Sequence, residues 1–250
     1  MSRAERVNHK TAKPPPTTAA VDRPKTRGGW TPVGTAAGRR TAHSERSTPR
    51  GERTRRAILD AARRVFERDG YFDSNIEDIV NEAGVARGSF YTYFSSKVEV
   101  FRVLSAEVSA QIDQAVARSD ERSRDAIEAL DRSNRRYIQV YRENAAMYGL
   151  IEQIATVDPS VREHRLKSRR AHVKRVAATI RRWQDRAIAD ADIDPVVTAA
   201  ALVSMTSNFC YWWLVGRDAF DEERAARTLT DIWVRAVRLR GDGDRAGETG

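Results

Sequence analysis

Between Glu52 and Arg240 the chain contains only two prolines, Pro159 and Pro195, and each follows an aspartate. Proline removes a backbone donor and clashes with the preceding helical turn, so a span this poor in it is free to run as long helices. Asp158-Pro159 and Asp194-Pro195 each put a capping carboxylate ahead of a first-turn proline, which marks two helix starts. No run alternates cleanly with period two, and no Asn-Gly or Asp-Gly turn joins β-rich runs. The body therefore reads as all-α.

The first helices are predicted from their apolar stripes. Ile58, Leu59, Ala62, Val65 and Phe66 line one face of a helix from about Glu52 to Asp69, and Gly70 stops it. Ser74 and Glu77 have the spacing of a capping box for a second helix, with Ile76, Ile79, Val80 and Ala83 on its inner side. Gly84-Val85 follows at once. A third helix, Arg87 to Tyr93, turns Phe90 and Phe94 inward. Two short helices joined by a tight glycine turn form the helix-turn-helix arrangement, in which the second helix projects far enough to enter a DNA major groove.

Residues 1–50 differ from this body. They carry eleven Lys and Arg against three acids, whereas the rest of the chain is nearly balanced, so most of the net charge of +9 belongs to this segment. Six of the eight prolines lie here, with Trp30 as the only aromatic residue. The composition predicts a disordered basic tail rather than an organellar targeting segment. The expected organisation is a tail over 1–50, a helix-turn-helix domain over 51–97, a helical domain over 98–240 and a disordered end over 241–250. The single cysteine, Cys210, excludes an internal disulfide and cysteine-based zinc sites, and the four histidines show no ligand spacing, so no metal or other cofactor is expected. No long charge-free apolar stretch suggests a membrane span, and residues 1–30 lack a secretory core, so a cytoplasmic location is expected.

The outward face of the third helix carries the chemistry. Once Phe90 and Phe94 are set aside as core, Arg87, Gly88, Ser89, Tyr91, Thr92 and Tyr93 remain, followed by Lys97. No acid occurs between Ala83 and Val98. Arginine bonds guanine bidentately, hydroxyls reach bases or phosphates, and Gly88 lets the backbone approach a base edge. Residues 51–97 nevertheless hold eight basic and eight acidic residues, and a helix–Gly–helix spacing also arises by chance.

The segment RTRRAILDAARRVFERDGYFDSNIEDIVNEAGVARGSFYTYFSSKVEVF resembles the DNA-binding domain of the TetR family of bacterial transcriptional regulators. The most specific matches are Gly84-Val85, Gly88, Phe90-Tyr91, Tyr93-Phe94 and Lys97. Two positions depart from the family pattern. Ala86 stands where a serine often caps the recognition helix, and Ser74-Asn75 replaces the usual threonine pair before the second helix, where it can still cap and meet a phosphate. The resemblance implies DNA contacts from Ser74, Asn75, Arg87, Gly88, Ser89, Tyr91, Thr92, Tyr93 and Lys97. It also implies that residues 98–240 bind an effector and form a homodimer, with the last two long helices pairing across a two-fold axis. Val98, Phe101, Leu104, Val108 and Ile112 suit a fourth helix, and Leu166, Val173, Val176, Ile180 and Trp183 a seventh. Aromatic-rich residues 195–215, with Leu229 and Trp233 further on, suit the interface, with the core of a monomer as the competing reading.

Tyr137, Tyr141, Met147, Tyr148, Trp183, Phe209 and Trp212, with Trp213, are candidates for a pocket suited to a hydrophobic or aromatic effector. The nine basic residues of 160–183 read as the solvated face of the seventh helix, with an anion site as the competing reading. Cys210 reads as a buried, inert thiol. No nucleophile triad, Gly-rich phosphate loop or metal cluster suggests an enzyme. The expected function is a dimeric repressor released from a palindromic operator by a small effector. An activator of the same architecture and an architectural DNA binder using its basic tail remain the alternatives.

Overall fold

The computed structural model describes residues 48–120 and 125–241, all-α among those residues. The rest of the predicted tail and of the predicted C-terminal end lie outside the described residues. Nine α-helices are described: α1 Pro49–Asp69, α2 Ile76–Ala83, α3 Arg87–Tyr93, α4 Lys97–Asp120, α5 Ala126–Glu143, α6 Ala145–Ala155, α7 Pro159–Asp185, α8 Pro195–Cys210 and α9 Glu222–Val237. A π-helical turn, Tyr211–Val215, continues α8.

The helix starts follow local chemistry. Asp158 and Asp194 cap α7 and α8 ahead of their prolines, as the sequence predicts. The same device opens α1, where Thr48 Oγ1 accepts from the Gly51 amide at 3.2 Å and Pro49 begins the helix. Helix α1 thus starts ahead of the expected Glu52, on a proline that composition assigns to the tail. The capping box of α2 also shifts by one residue. Asn75 accepts from the Asp78 amide at 3.1 Å and Asp78 accepts from the Asn75 amide at 2.8 Å. Ser74 is only 3% exposed, and its hydroxyl donates inward to the Tyr71 carbonyl. Gly84 takes the left-handed conformation, φ 64°, that makes the α2–α3 turn tight.

One apolar core joins the helix-turn-helix to the helices that follow. Ile58, Phe66, Ile79, Phe90 and Phe94 pack in the same cluster as Phe101 of α4, Met147 and Ile154 of α6 and Val161 of α7. Two further clusters fill the space among α4, α5, α7, α8 and α9. The expected interface residues Leu229 and Trp233 belong to these interior clusters, and Trp233 Nε1 donates to Thr206 Oγ1 of α8 at 2.9 Å. The apolar stripe of α9 is consumed within the chain itself. The large apolar side chains that α8 and α9 leave exposed are Val196, Val197 and Ile232. No helix among the described residues is long and apolar enough to cross a membrane.

Candidate nucleic-acid interface

Helix α3 is held from beneath by Phe90 and Phe94, both buried, so its opposite side faces outward. Arg87, Gly88, Tyr91 and Thr92 are exposed there, while Ser89 is half-buried. A Cβ built at Gly88 would meet nothing within 4 Å, so the chain's own packing does not require glycine at this position. The room it leaves lies outside the chain. Ala86 offers no side-chain cap, and the first turn is closed by the Ser89 amide on the Ala86 carbonyl at 2.8 Å. Thr92 spends its hydroxyl proton on the Gly88 carbonyl, which leaves its oxygen as an acceptor.

Arg87 has partners that the local sequence does not announce. Its Nη1 donates to Glu77 Oε2 of α2 at 3.2 Å, and the neighbouring Tyr91, ahead of Glu77, raises the guanidinium pKa. The acid-free stretch is therefore not an acid-free surface. Tyr93 is half-buried against the start of α1, and a Cβ at Gly51 would lie 3.3 Å from its hydroxyl. This brings the Tyr93 hydroxyl beside the capped first turn of α1, whose early residues Arg50, Arg53 and Arg55 are exposed. Arg55 lies over the Phe94 ring at 5.2 Å. The Thr48-Pro49 pair is the signal that could have extended the site to this turn.

Two expected DNA contacts are turned inward. Ser74 is buried, as described above. Lys97 donates its Nζ to the carbonyls of Tyr71 and Ser74, at 2.5 and 2.6 Å, and sits 4.3 Å from the Tyr71 ring centroid. Burial lowers its pKa. It ties the start of α4 to the α1–α2 loop instead of offering its charge outward. Asn75 stays exposed, with its side-chain oxygen in the capping box.

The second candidate site is a pair of cavities of about 350 and 1120 Å³ whose linings share Tyr137, His172 and Val203. Trp183 lines the smaller, while Tyr141, Tyr148 and the exposed Trp212 line the larger. Met147 and Phe209 line neither. Met147 is fully buried in the core shared with the helix-turn-helix, and Phe209 packs on Trp213 and Phe220. The lining is more polar than the aromatic reading implies, with Asn134, Thr206 and His172 on the smaller cavity and Asp113, Glu152 and His164 on the larger. The basic stretch of α7 is only partly a solvated face. Arg165 pairs with Glu152 at 2.6 Å, Arg175 pairs with Asp113, and Arg169 donates to Ser204 Oγ at 2.7 Å. Cys210 is buried among these helices, which pushes its thiol up to about 12.

The buried Asn144, between α5 and α6, bridges α1, α4 and α5. Its Oδ1 accepts from Arg63 of α1 at 2.9 Å, and its Nδ2 donates to Gln111 of α4 and the Val140 carbonyl, each at 2.9 Å. Tyr141 and Tyr148 flank this junction and stack at 4.0 Å on the wall of the larger cavity.

Comparison with known proteins agrees with this geometry. The family profile described as bacterial regulatory proteins, tetR family, matches residues 58–104. The HTH-type transcriptional regulator EthR of Mycobacterium tuberculosis is 30% identical over 212 residues, covering 79% of this chain and 96% of that protein. EthR of Mycolicibacterium smegmatis is 26% identical over 214 residues, covering 79% and 95%. A TetR-family transcriptional regulator from Syntrophomonas wolfei superposes with a TM-score of 0.64 at 18% identity, over 74% of this chain and 95% of that one.

Proposed function

Since the chain belongs to the TetR family and is a transcriptional regulator with a DNA-binding helix-turn-helix, we propose that it works as a dimeric repressor. A small hydrophobic effector entering the paired cavities would release it from a palindromic operator. The observation that carries this reading is the outward side of α3, where Arg87, Tyr91 and Thr92 are exposed around the open space at Gly88. Arg87 supplies the bidentate donor for a base, and the hydroxyls supply phosphate or base contacts. A two-fold dimer imposes its symmetry on the DNA, so the operator is an inverted repeat.

Release follows from a population shift. An effector that binds better when the two recognition helices are wrongly spaced lowers operator affinity by its differential affinity for that form. The Asn144 junction supports this route, because it hydrogen-bonds α1 and α4 to the turn between Tyr141 and Tyr148, two residues of the larger cavity.

Operator selection from random duplexes with the purified full chain, followed by footprinting, tests the proposal. Protection of one short inverted repeat is expected. Diffuse coating of any duplex would favour the architectural alternative, whose support is the charge excess of residues 1–50. Transcription assays with the operator placed at and upstream of a promoter separate repression from activation.

A further inference from the structure

The lining of the larger cavity has its ionised groups occupied and several hydrogen-bonding groups idle. Glu152 is paired with Arg165, and Asp113 with Arg175. Arg169, exposed at the rim, is held by Ser204 Oγ and the Ala200 carbonyl. His172 Nδ1 lies 3.3 Å from Arg175 Nη2. A guanidinium only donates, so Nδ1 accepts and the ring proton sits on Nε2. His172 is thus neutral, and burial, aided by the Arg175 charge, holds its pKa near 4. Against this, no described residue bonds the hydroxyls of Tyr137, Tyr141 or Tyr148, which line the cavity.

We infer that the effector is an uncharged, planar aromatic compound bearing at least two hydrogen-bonding oxygens, seated among Tyr137, Tyr141, Tyr148 and His172. This rests on the regulator reading above. An ion brought into this cavity would find its counter-charges already paired and would have to break a pair or go uncompensated. A neutral oxygen-bearing ring instead meets phenol hydroxyls that lack partners, and its face meets aromatic rings. The smaller cavity, which shares Tyr137, His172 and Val203 with the larger, adds about 350 Å³ beside this seat.

A series of different charge on one scaffold tests the inference with the full chain: coumarin-3-carboxamide, coumarin-3-carboxylate and 3-(trimethylammoniomethyl)coumarin, titrated calorimetrically. The carboxamide is expected to bind at least tenfold more tightly than either ion and to release the selected operator. Tyr137→Phe and Tyr148→Phe keep the rings and remove only the hydroxyls. Each is expected to weaken the carboxamide about two- to tenfold while leaving the thermal midpoint unchanged. An ion that binds as well as the carboxamide, unchanged binding in both phenylalanine variants, or no binding by any of the three at millimolar concentration overturns the inference. Operator binding by the ligand-free chain is measured in parallel. Its loss would instead count against the regulator reading.

Discussion

Arg87 opens α3 with its guanidinium placed between Glu77 of α2 and Tyr91 of its own helix. These exposed contacts are weak enough to be exchanged for a base edge. Arg87→Ala should cost about 1–3 kcal/mol of operator affinity and relax preference at particular bases. Lys97 behaves differently, because its ammonium is spent on two backbone carbonyls. Lys97→Ala should lower stability by about 1–2 kcal/mol and leave the salt dependence of DNA binding unchanged. Thermal melts and salt titrations check both halves. A parent-like melt with a salt slope reduced by about one would return Lys97 to the phosphate backbone. The difference between these two residues was not legible locally. Both are cations at helix starts, Arg87 of α3 and Lys97 of α4, and only the loop folded against Lys97 decides which one faces solvent.

The junction of α5 and α6 hydrogen-bonds α1 and α4 between two residues of the larger cavity, Tyr141 and Tyr148. Asn144 bonds partners on α1, α4 and α5 from a buried position, so its loss breaks three hydrogen bonds at once. Asn144→Ala should cost about 1–3 kcal/mol in chemical denaturation. Arg63→Ala in the Asn144→Ala background should cost less than in the parent, because the two residues share one contact. Strict additivity of the two losses would show that Arg63 and Asn144 are not energetically coupled. Nothing in the local pattern distinguishes Asn144 from a solvent-facing helix end. The π-helical turn was equally hidden, since Tyr211–Val215 reads as an uninterrupted apolar helix. Gly216 is its trace, for a Cβ there would lie 2.6 Å from the Trp212 carbonyl oxygen.

At the scale of the molecule, burial of His172 couples stability to pH. Its folded pKa of about 4 lies below the ordinary 6.5, so the unfolded chain binds the proton more readily. Stability is fully present above about pH 6.5 and falls as the pH drops toward 4, with this residue contributing a loss of up to about 3 kcal/mol. His172→Gln should flatten the denaturation midpoint across that window. A slope identical to the parent's would assign the acid sensitivity to other groups. Dimer formation, part of the proposed function, needs the surface that α8 and α9 leave open. Val197 is 67% exposed and Ile232 39% exposed, whereas Trp233 is interior. Val197→Asp combined with Ile232→Glu should give folded monomers with weakened operator binding by light scattering and gel shift, and Trp233→Asp should unfold the chain. A variant dimer as tight as the parent would move the interface elsewhere.

Helix positions, the glycine turn and the buried Phe90 and Phe94 follow from near-neighbour rules: apolar spacing, caps and the conformational freedom of glycine act within a few residues. That is why α3 and the starts of α7 and α8 were readable in advance, and why the one-residue shift of the α2 cap was not. Ser74 and Asn75 are both good caps, and packing of the Tyr71 loop chose between them. The direction of each side chain on a closed helix bundle depends on partners far along the chain. Met147 and Phe209 have the chemistry of pocket residues, yet they pack into cores, while the polar His172 and Asn134 line the cavities. Apolar content identifies what will be buried. Only the packing of distant helices decides whether a buried position borders another side chain or an empty volume.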